Sequence, residues 1–235
     1  MFIKRQLLLF LVIATLFSCT LVYLSKTEVL DSASGSVKQY DTVILDAGHG
    51  GFDGGAVASD GTVEKDINLS IALKVRDFLK LGGVDVIMTR DVDTGTEDDV
   101  NQSISARKKS DLYNRLQLMQ ENPDALFVSV HLNKFTTSAA SGTQVFYSPD
   151  FSDARILGEK IQSEVVSMLQ PENTRVVKQG NKKTFLLSKA PIPAVIVECG
   201  FLSNAQELER LKNSQYQSQM AMSISLGVLD FLNSD

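Results

Sequence analysis

The sequence predicts an α/β fold: one domain on a mixed, largely parallel sheet of about six strands, with helices on both faces. Three features point there. Short apolar runs rich in Val and Ile alternate with segments of helical period from residue 42 to residue 232. The first two runs and the helical segment between them form a βαβ unit, so their strands are parallel. Gly, Asn or Pro punctuates several of the boundaries.

The elements follow in order. Lys4 and Arg5 precede Leu7 to Leu24, a run of 18 residues without a charge. A positive flank before an apolar core is the pattern of an export signal, and this run is long enough to span a bilayer as a helix. Basic residues at the front keep the N-terminus in the cytoplasm and send the remainder across. No well-formed cleavage site follows Leu24, so residues 1–24 read as an uncleaved signal anchor, with secretion after cleavage as the alternative. Residues 25–40 are polar and read as a linker. Residues 41–235 form the folded domain.

Residues 42–45 are the first strand. The glycine-rich loop 48–63 must then turn tightly or approach something closely. Ile67, Ile71, Val75, Phe78 and Leu79 give residues 64–81 a helical period, with Thr62 as the N-cap and Gly82-Gly83 as the stop. Residues 84–88 are the second strand. Residues 89–103 are acidic and read as a solvated loop, because the spacing of a calcium-binding loop is missing. Residues 105–121 form the second helix, with Ala106, Leu112, Leu116 and Met119 facing in. Residues 126–130 are a strand that runs into His131, and residues 142–148 alternate as the fourth strand. Residues 153–169 form a helix with Ile156, Ile161, Val165 and Leu169 inward. Residues 174–177 and 184–187 read as short strands, and residues 193–198 as an apolar strand ending in Glu198. Asn204 caps a short helix to Lys212. Residues 216–232 close the domain as a helix with Tyr216, Met220, Ile224, Val228 and Phe231 on one face.

Composition narrows the function. A net charge of −5 argues against nucleic acid, which needs a basic face. Two cysteines, Cys19 and Cys199, supply neither a disulfide framework nor a cysteine-rich metal site. Any metal must be held by histidine and carboxylate. Cys199 reads as a small buried apolar residue.

Both histidines of the chain sit where a strand ends, His49 after the first and His131 after the third. Glu198 ends a later strand, and Glu64 starts the helix after the glycine loop. Parallel strands bring their C-terminal ends to one edge, where α/β enzymes build sites. Taken singly, each residue has a bland reading: His49 an ordinary loop histidine, His131 a core histidine, Glu64 a complement to the helix N-terminus. Glu198 resists one, since a carboxylate in an apolar strand is costly unless paired, protonated or used. Together they match a catalytic zinc set of two histidines and one carboxylate with an open position. A second carboxylate would then serve as general base and acid. Asp46, just before the turn, is the natural group to orient a ligand histidine.

Four blocks carry a resemblance: Leu45-Asp46-Ala47-Gly48-His49-Gly50-Gly51, Glu64-Lys65-Asp66-Ile67-Asn68-Leu69, Ser129-Val130-His131-Leu132-Asn133 and Val197-Glu198-Cys199-Gly200-Phe201-Leu202-Ser203-Asn204. In this order and spacing they resemble the signature blocks of zinc-dependent N-acetylmuramoyl-L-alanine amidases of the Amidase_3 type. The N-terminal signal, the compact size, the helix with Arg107 and Arg115, and His131-Leu132-Asn133 resemble the germination-specific CwlD branch most. Ala47, where a proline is common, and Cys199, where Val, Thr or Leu is usual, are small departures. The resemblance implies one Zn2+ ion on His49, Glu64 and His131, with Glu198 as the catalytic carboxylate; Asn133, beside His131, is placed either to orient substrate or to make a strand-end hydrogen bond. It implies hydrolysis of the amide between N-acetylmuramic acid and L-alanine in peptidoglycan, as in spore cortex maturation, where muramic δ-lactam needed for germination is formed. Only about ten residues separate Asn133 from the next strand, so the blocking helix of amidases controlled by division-associated activators is absent. With no wall-binding repeats either, control falls to an accessory or regulatory protein. Two other readings remain open here: a catalytically inactive wall-binding scaffold, and another peptidoglycan metallohydrolase such as a peptidase or a sugar deacetylase.

Overall fold

The structure is a computed structural model and describes residues 40–234. The signal anchor expected over residues 1–24 lies outside the described residues, as do residues 25–39 of the linker. Tyr40 belongs to the domain: it is buried, its ring centroid lies 5.9 Å from that of Phe231, and its hydroxyl donates to Asp153 (2.6 Å). No helix among the described residues is long and apolar enough to cross a membrane.

The described residues form six strands, β1 (Thr42–Ala47), β2 (Asp85–Met88), β3 (Ala125–Asn133), β4 (Gln144–Tyr147), β5 (Lys178–Gln179) and β6 (Ala194–Phe201). Six helices accompany them: α1 (Glu64–Leu81), α2 (Ile104–Glu121), α3 (Ser152–Met168), α4 (Phe185–Lys189), α5 (Ala205–Lys212) and α6 (Ser214–Leu232). The sheet order is β2-β1-β3-β6-β4-β5. β1, β2, β3 and β6 run parallel, while β4 is antiparallel to β6 and carries β5 parallel to itself. The expected mixed, largely parallel six-stranded sheet is present.

Alternation along the strands divides the core. Val43, Leu45, Leu126, Val128, Val195 and Val197 face one layer, shared with buried residues of α1, α3 and α6. Ile44, Phe127, Ala194 and Ile196 face the other, under α2 and α4. The chain steps from β1 outward to β2, then back across to β3 on the far side of β1. Right-handed crossovers in opposite directions put α1 and α2 on opposite faces. A crevice opens where the order reverses, at the C-terminal ends of β1 and β3.

Several expectations need correction. Thr62 is not the cap of α1; Val63 is, without a side-chain bond. The loop replaces a cap, because Glu64 N–H donates to Ala56 O (2.9 Å) and Lys65 N–H to Gly54 O (3.2 Å). The inner face of α3 is rotated: Ile156 is exposed, while Leu157, Ile161 and Val165 are buried. Residues 184–187 are not a strand but the start of α4, whose Leu186 and Leu187 enter the second core layer. A four-residue apolar run has too few turns for its period to separate helix from strand. The strand expected over residues 174–177 forms instead at β5. Asn204 does cap α5, accepting from Gln206 and Glu207 N–H.

Candidate active site

Strand parity decides what the crevice contains. Asp46 shares a face with Ile44, Ser129 and His131 with Phe127, and Glu198 with Ile196. The polar residues at these strand ends therefore look toward α2 and α4. β3 and β6 run past the expected ends, and His131 pairs with Glu198 across their ladder, just before a bulge between His131 and Asn133.

Asp46 neutralises the floor. It is fully buried and accepts from Ser129 Oγ (2.5 Å), Thr89 Oγ1 (2.7 Å) and Arg115 Nη1. Burial alone would raise its pKa, but Arg115, His131 and the two hydroxyls outweigh it and hold the carboxyl below the usual range. Arg115 also donates to Asp111 Oδ2 (2.9 Å), to Ala47 O (3.3 Å) and to His49 O (2.9 Å). One guanidinium thus joins α2, the end of β1 and the first turn of the histidine loop. Asp46 does not orient a histidine. Asp53 takes that role, with its Oδ2 2.9 Å from His49 Nδ1.

His49 has φ 63°, a left-handed conformation that non-glycine residues rarely adopt. That backbone turns the ring back over β3. Several contacts hold the loop in place. Arg90 donates to the carbonyls of Ala47 (2.8 Å), Gly48 (3.1 Å) and Lys65 (2.9 Å). Asp93 accepts from Gly51 N–H (2.9 Å) and Lys65 Nζ (2.6 Å). Arg107 lies 3.9 Å over the Phe52 ring and pairs with Glu97 (2.6 Å). The acidic loop read as merely solvated is thus partly a buttress for the histidine loop. Asp93 is tied to Gly51 and Lys65, 42 and 28 positions away in sequence.

His49, Glu64 and His131 converge, with one donor atom from each within 4.8 Å of the others. Glu64 Oε1 lies 3.3 Å from His49 Nε2 and 3.0 Å from His131 Nδ1, and it accepts from Leu132 N–H (3.1 Å). Glu64 Oε2 accepts from Ala56 N–H (2.8 Å). The carboxylate is therefore held at both oxygens. Burial pushes Glu64 up, but the two imidazoles outweigh it and hold it well below its usual value. Burial opposes a charged His49, yet Asp53 and Glu64 raise its pKa to about 9.

Glycine makes room for this cluster. A Cβ on Gly48 would sit 2.2 Å from His131 Nε2. One on Gly55, at φ +69°, would sit 2.6 Å from both Glu64 Oε2 and His49 Cδ2. Gly48→Ala is therefore expected to displace His131. Metal bound per chain should fall well below that of the unmodified protein, measured by atomic emission after dialysis, while circular dichroism still reports a folded sheet.

Glu198 is different in kind. Its Oε2 is buried and has no hydrogen-bond partner among the described residues. Burial, opposed by His131 and His49 and aided by Glu64, pushes its pKa up to about 7. A carboxyl near neutrality beside three metal-capable groups can both take and give a proton. Asn133 lies beyond the bulge, where its carbonyl accepts from Leu202 N–H (2.8 Å), and is not among the residues lining the cleft. Asp53, Arg115 and Arg90 had no site role in the sequence reading. Asp53 carried one local signal, its charge within the glycine loop, while Arg115 lies in the middle of α2 with no glycine near it in sequence.

Fold and site together define a hydrolase of the α/β class, with a two-histidine, one-carboxylate cluster and a separate buried carboxylate at the switch point of a mixed sheet. A family model described as N-acetylmuramoyl-L-alanine amidase matches residues 43–230. The chain belongs to the N-acetylmuramoyl-L-alanine amidase family and is an enzyme of that kind. It is 36% identical over 189 residues to the germination-specific N-acetylmuramoyl-L-alanine amidase of Bacillus subtilis, covering 80% of this chain and 78% of that protein. The CwlD amidase from Clostridioides difficile, solved in complex with the GerS lipoprotein, is 39% identical with a TM-score of 0.80, covering 83% of this chain and 100% of that one. A second amidase structure, from Clostridium difficile 630, is 31% identical with a TM-score of 0.71, covering 84% and 99%.

Proposed function

We propose that this chain is a zinc-dependent amidase acting outside the cytoplasmic membrane, cleaving the lactyl amide between N-acetylmuramic acid and L-alanine. The observation that carries this is the convergence of His49, Glu64 and His131 beside Glu198, whose buried Oε2 has no hydrogen-bond partner among the described residues. Two imidazole nitrogens and one carboxylate oxygen suit zinc, and three protein donors leave a position open, as catalytic sites do. When bound there, zinc supplies Lewis acidity, polarising the lactyl carbonyl and lowering the pKa of water.

The chain's own residues do the rest. Asp53 accepts the Nδ1 proton of His49, which leaves Nε2 facing Glu64 as the ligand atom. The backbone donors, one on each oxygen of Glu64, fix the orientation of its carboxylate. Glu198 takes a proton from the attacking water and delivers it to the departing alanine nitrogen. Asn133, two positions beyond His131 at the end of β3, is assigned to orienting the polymer.

The germination-specific relative in Bacillus subtilis supports a role in germination; in spore cortex, removal of stem peptides by this chain would precede formation of muramic δ-lactam. The complex of the Clostridioides difficile relative with a lipoprotein supports an accessory protein as partner. Residues 1–24 are assigned to membrane anchoring. Chelation is expected to remove both the metal and the release of stem peptides from sacculi, and one equivalent of zinc per chain should restore it. Full activity in the metal-free protein would sink the zinc assignment.

A further inference from the structure

We propose that Asn68 is a positioning residue for the metal cradle: its side-chain amide ties the Glu64 carboxylate to the turn that carries His49, so that the donors stand in register before an ion binds. The proposal rests on the zinc reading above and deepens it, by naming a residue that sets how tightly the site holds its ion.

Asn68 follows Glu64 one helical turn along the same face of α1 and is fully buried. Its Nδ2 donates to Glu64 Oε1 (3.3 Å) and to Gly48 O (3.2 Å). Both partners are pure acceptors, which fixes the NH2 group toward them and turns the carbonyl Oδ1 away. Oδ1 is buried without a hydrogen-bond partner among the described residues. A buried oxygen left unpaired destabilises a fold, and neither acceptor needs the amide. Gly48 O also accepts from Arg90 Nη2 (3.1 Å), and Glu64 Oε1 from Leu132 N–H (3.1 Å). Satisfying these acceptors does not account for an asparagine here; the geometry it imposes does.

The amide sits where the three ligand-bearing segments meet. Glu64 Oε1 is the oxygen that lies 3.3 Å from His49 Nε2 and 3.0 Å from His131 Nδ1. Gly48 immediately precedes His49, and its N–H donates to Val130 O (3.1 Å), next to His131. Gly48 is thus bonded to β3 through its N–H and to α1 through its carbonyl. Arg90 braces the same turn, but through backbone carbonyls. Asn68 reaches the ligand carboxylate itself. A hydrogen bond behind a ligating carboxylate orients it, and losing that bond weakens metal binding.

The test is a competition titration of zinc between the full chain and a chromophoric chelator, with no substrate present. Asn68→Leu keeps the branched shape while removing both the amide donors and the unpaired oxygen. Its zinc dissociation constant should rise about 10- to 100-fold, with circular dichroism unchanged. Asn68→Ala should show the same weakening, and it decides the matter if the leucine variant does not fold. Ser70→Ala is the control. It removes the bond from α1 to Gln217 on α6 (2.7 Å) and should leave zinc affinity unchanged. Unaltered affinity in the folded Asn68 variants would overturn the proposal. So would an equal loss in Ser70→Ala, which would assign the effect to a general loosening of α1, and so would failure of both Asn68 variants to fold. An unmodified protein that binds no zinc would overturn the zinc reading and the proposal with it.

Discussion

Glu198→Gln is expected to lower the release of stem peptides by a hundredfold to ten-thousandfold, the range about one positioned proton carrier contributes. The substitution keeps shape and volume in a strand whose neighbours are all packed. An amide cannot collect a proton from water or pass one to a departing nitrogen. Because Oε2 of Glu198 has no partner among the described residues, the new amide breaks no existing bond there. His49, Glu64 and His131 are untouched, so zinc content should match that of the unmodified protein. Activity and metal content measured on one preparation separate loss of chemistry from loss of the site. Retained activity would move the catalytic role to another group.

Arg115→Met is expected to cost about 3–5 kcal/mol of stability near neutral pH, the typical penalty for stripping one partner from a buried ion pair. Asp46 would remain fully buried with only hydroxyl donors. The pH dependence should change sign. In the unmodified protein the folded-state pKa of Asp46 is depressed. Its contribution is therefore present above the unfolded value, about 3.9, and is lost as pH falls through the folded value. Without Arg115, burial dominates and the folded carboxyl holds its proton more tightly than the unfolded one does. Stability then falls as pH rises, so the gap between the two proteins should narrow from pH 7 toward pH 4 in urea titrations. Asp46→Asn combined with Arg115→Met should recover part of the loss, because no charge is left unpaired. A constant gap across pH would show that Arg115 acts mainly through the carbonyls of Ala47 and His49.

The elements legible in the sequence were those whose burial follows a simple period. β1, β3 and β6 are buried on both faces and read as unbroken apolar runs, and α1 and α6 carry long stripes at helical spacing. Because parallel strands share one C-terminal edge, the meeting of His49 and His131 could be read from their positions alone. Long-range charge pairs could not. Asp46 and Arg115 stand 69 positions apart, and no periodicity links them. The left-handed turn at His49 is also invisible in the residue order, and it is what puts Asp53 instead of Asp46 against the ring. Residues 184–187 were misread for a local reason, because four apolar residues fit a strand and a helical turn equally well.

The most direct measurement is mass spectrometry of purified sacculi digested with the zinc-loaded protein. Intact stem peptides with a free alanine N-terminus, leaving unsubstituted muramic acid in the glycan, are the expected products. Shortened peptides still attached to the glycan, or free glucosamine amines, would contradict hydrolysis of the lactyl amide.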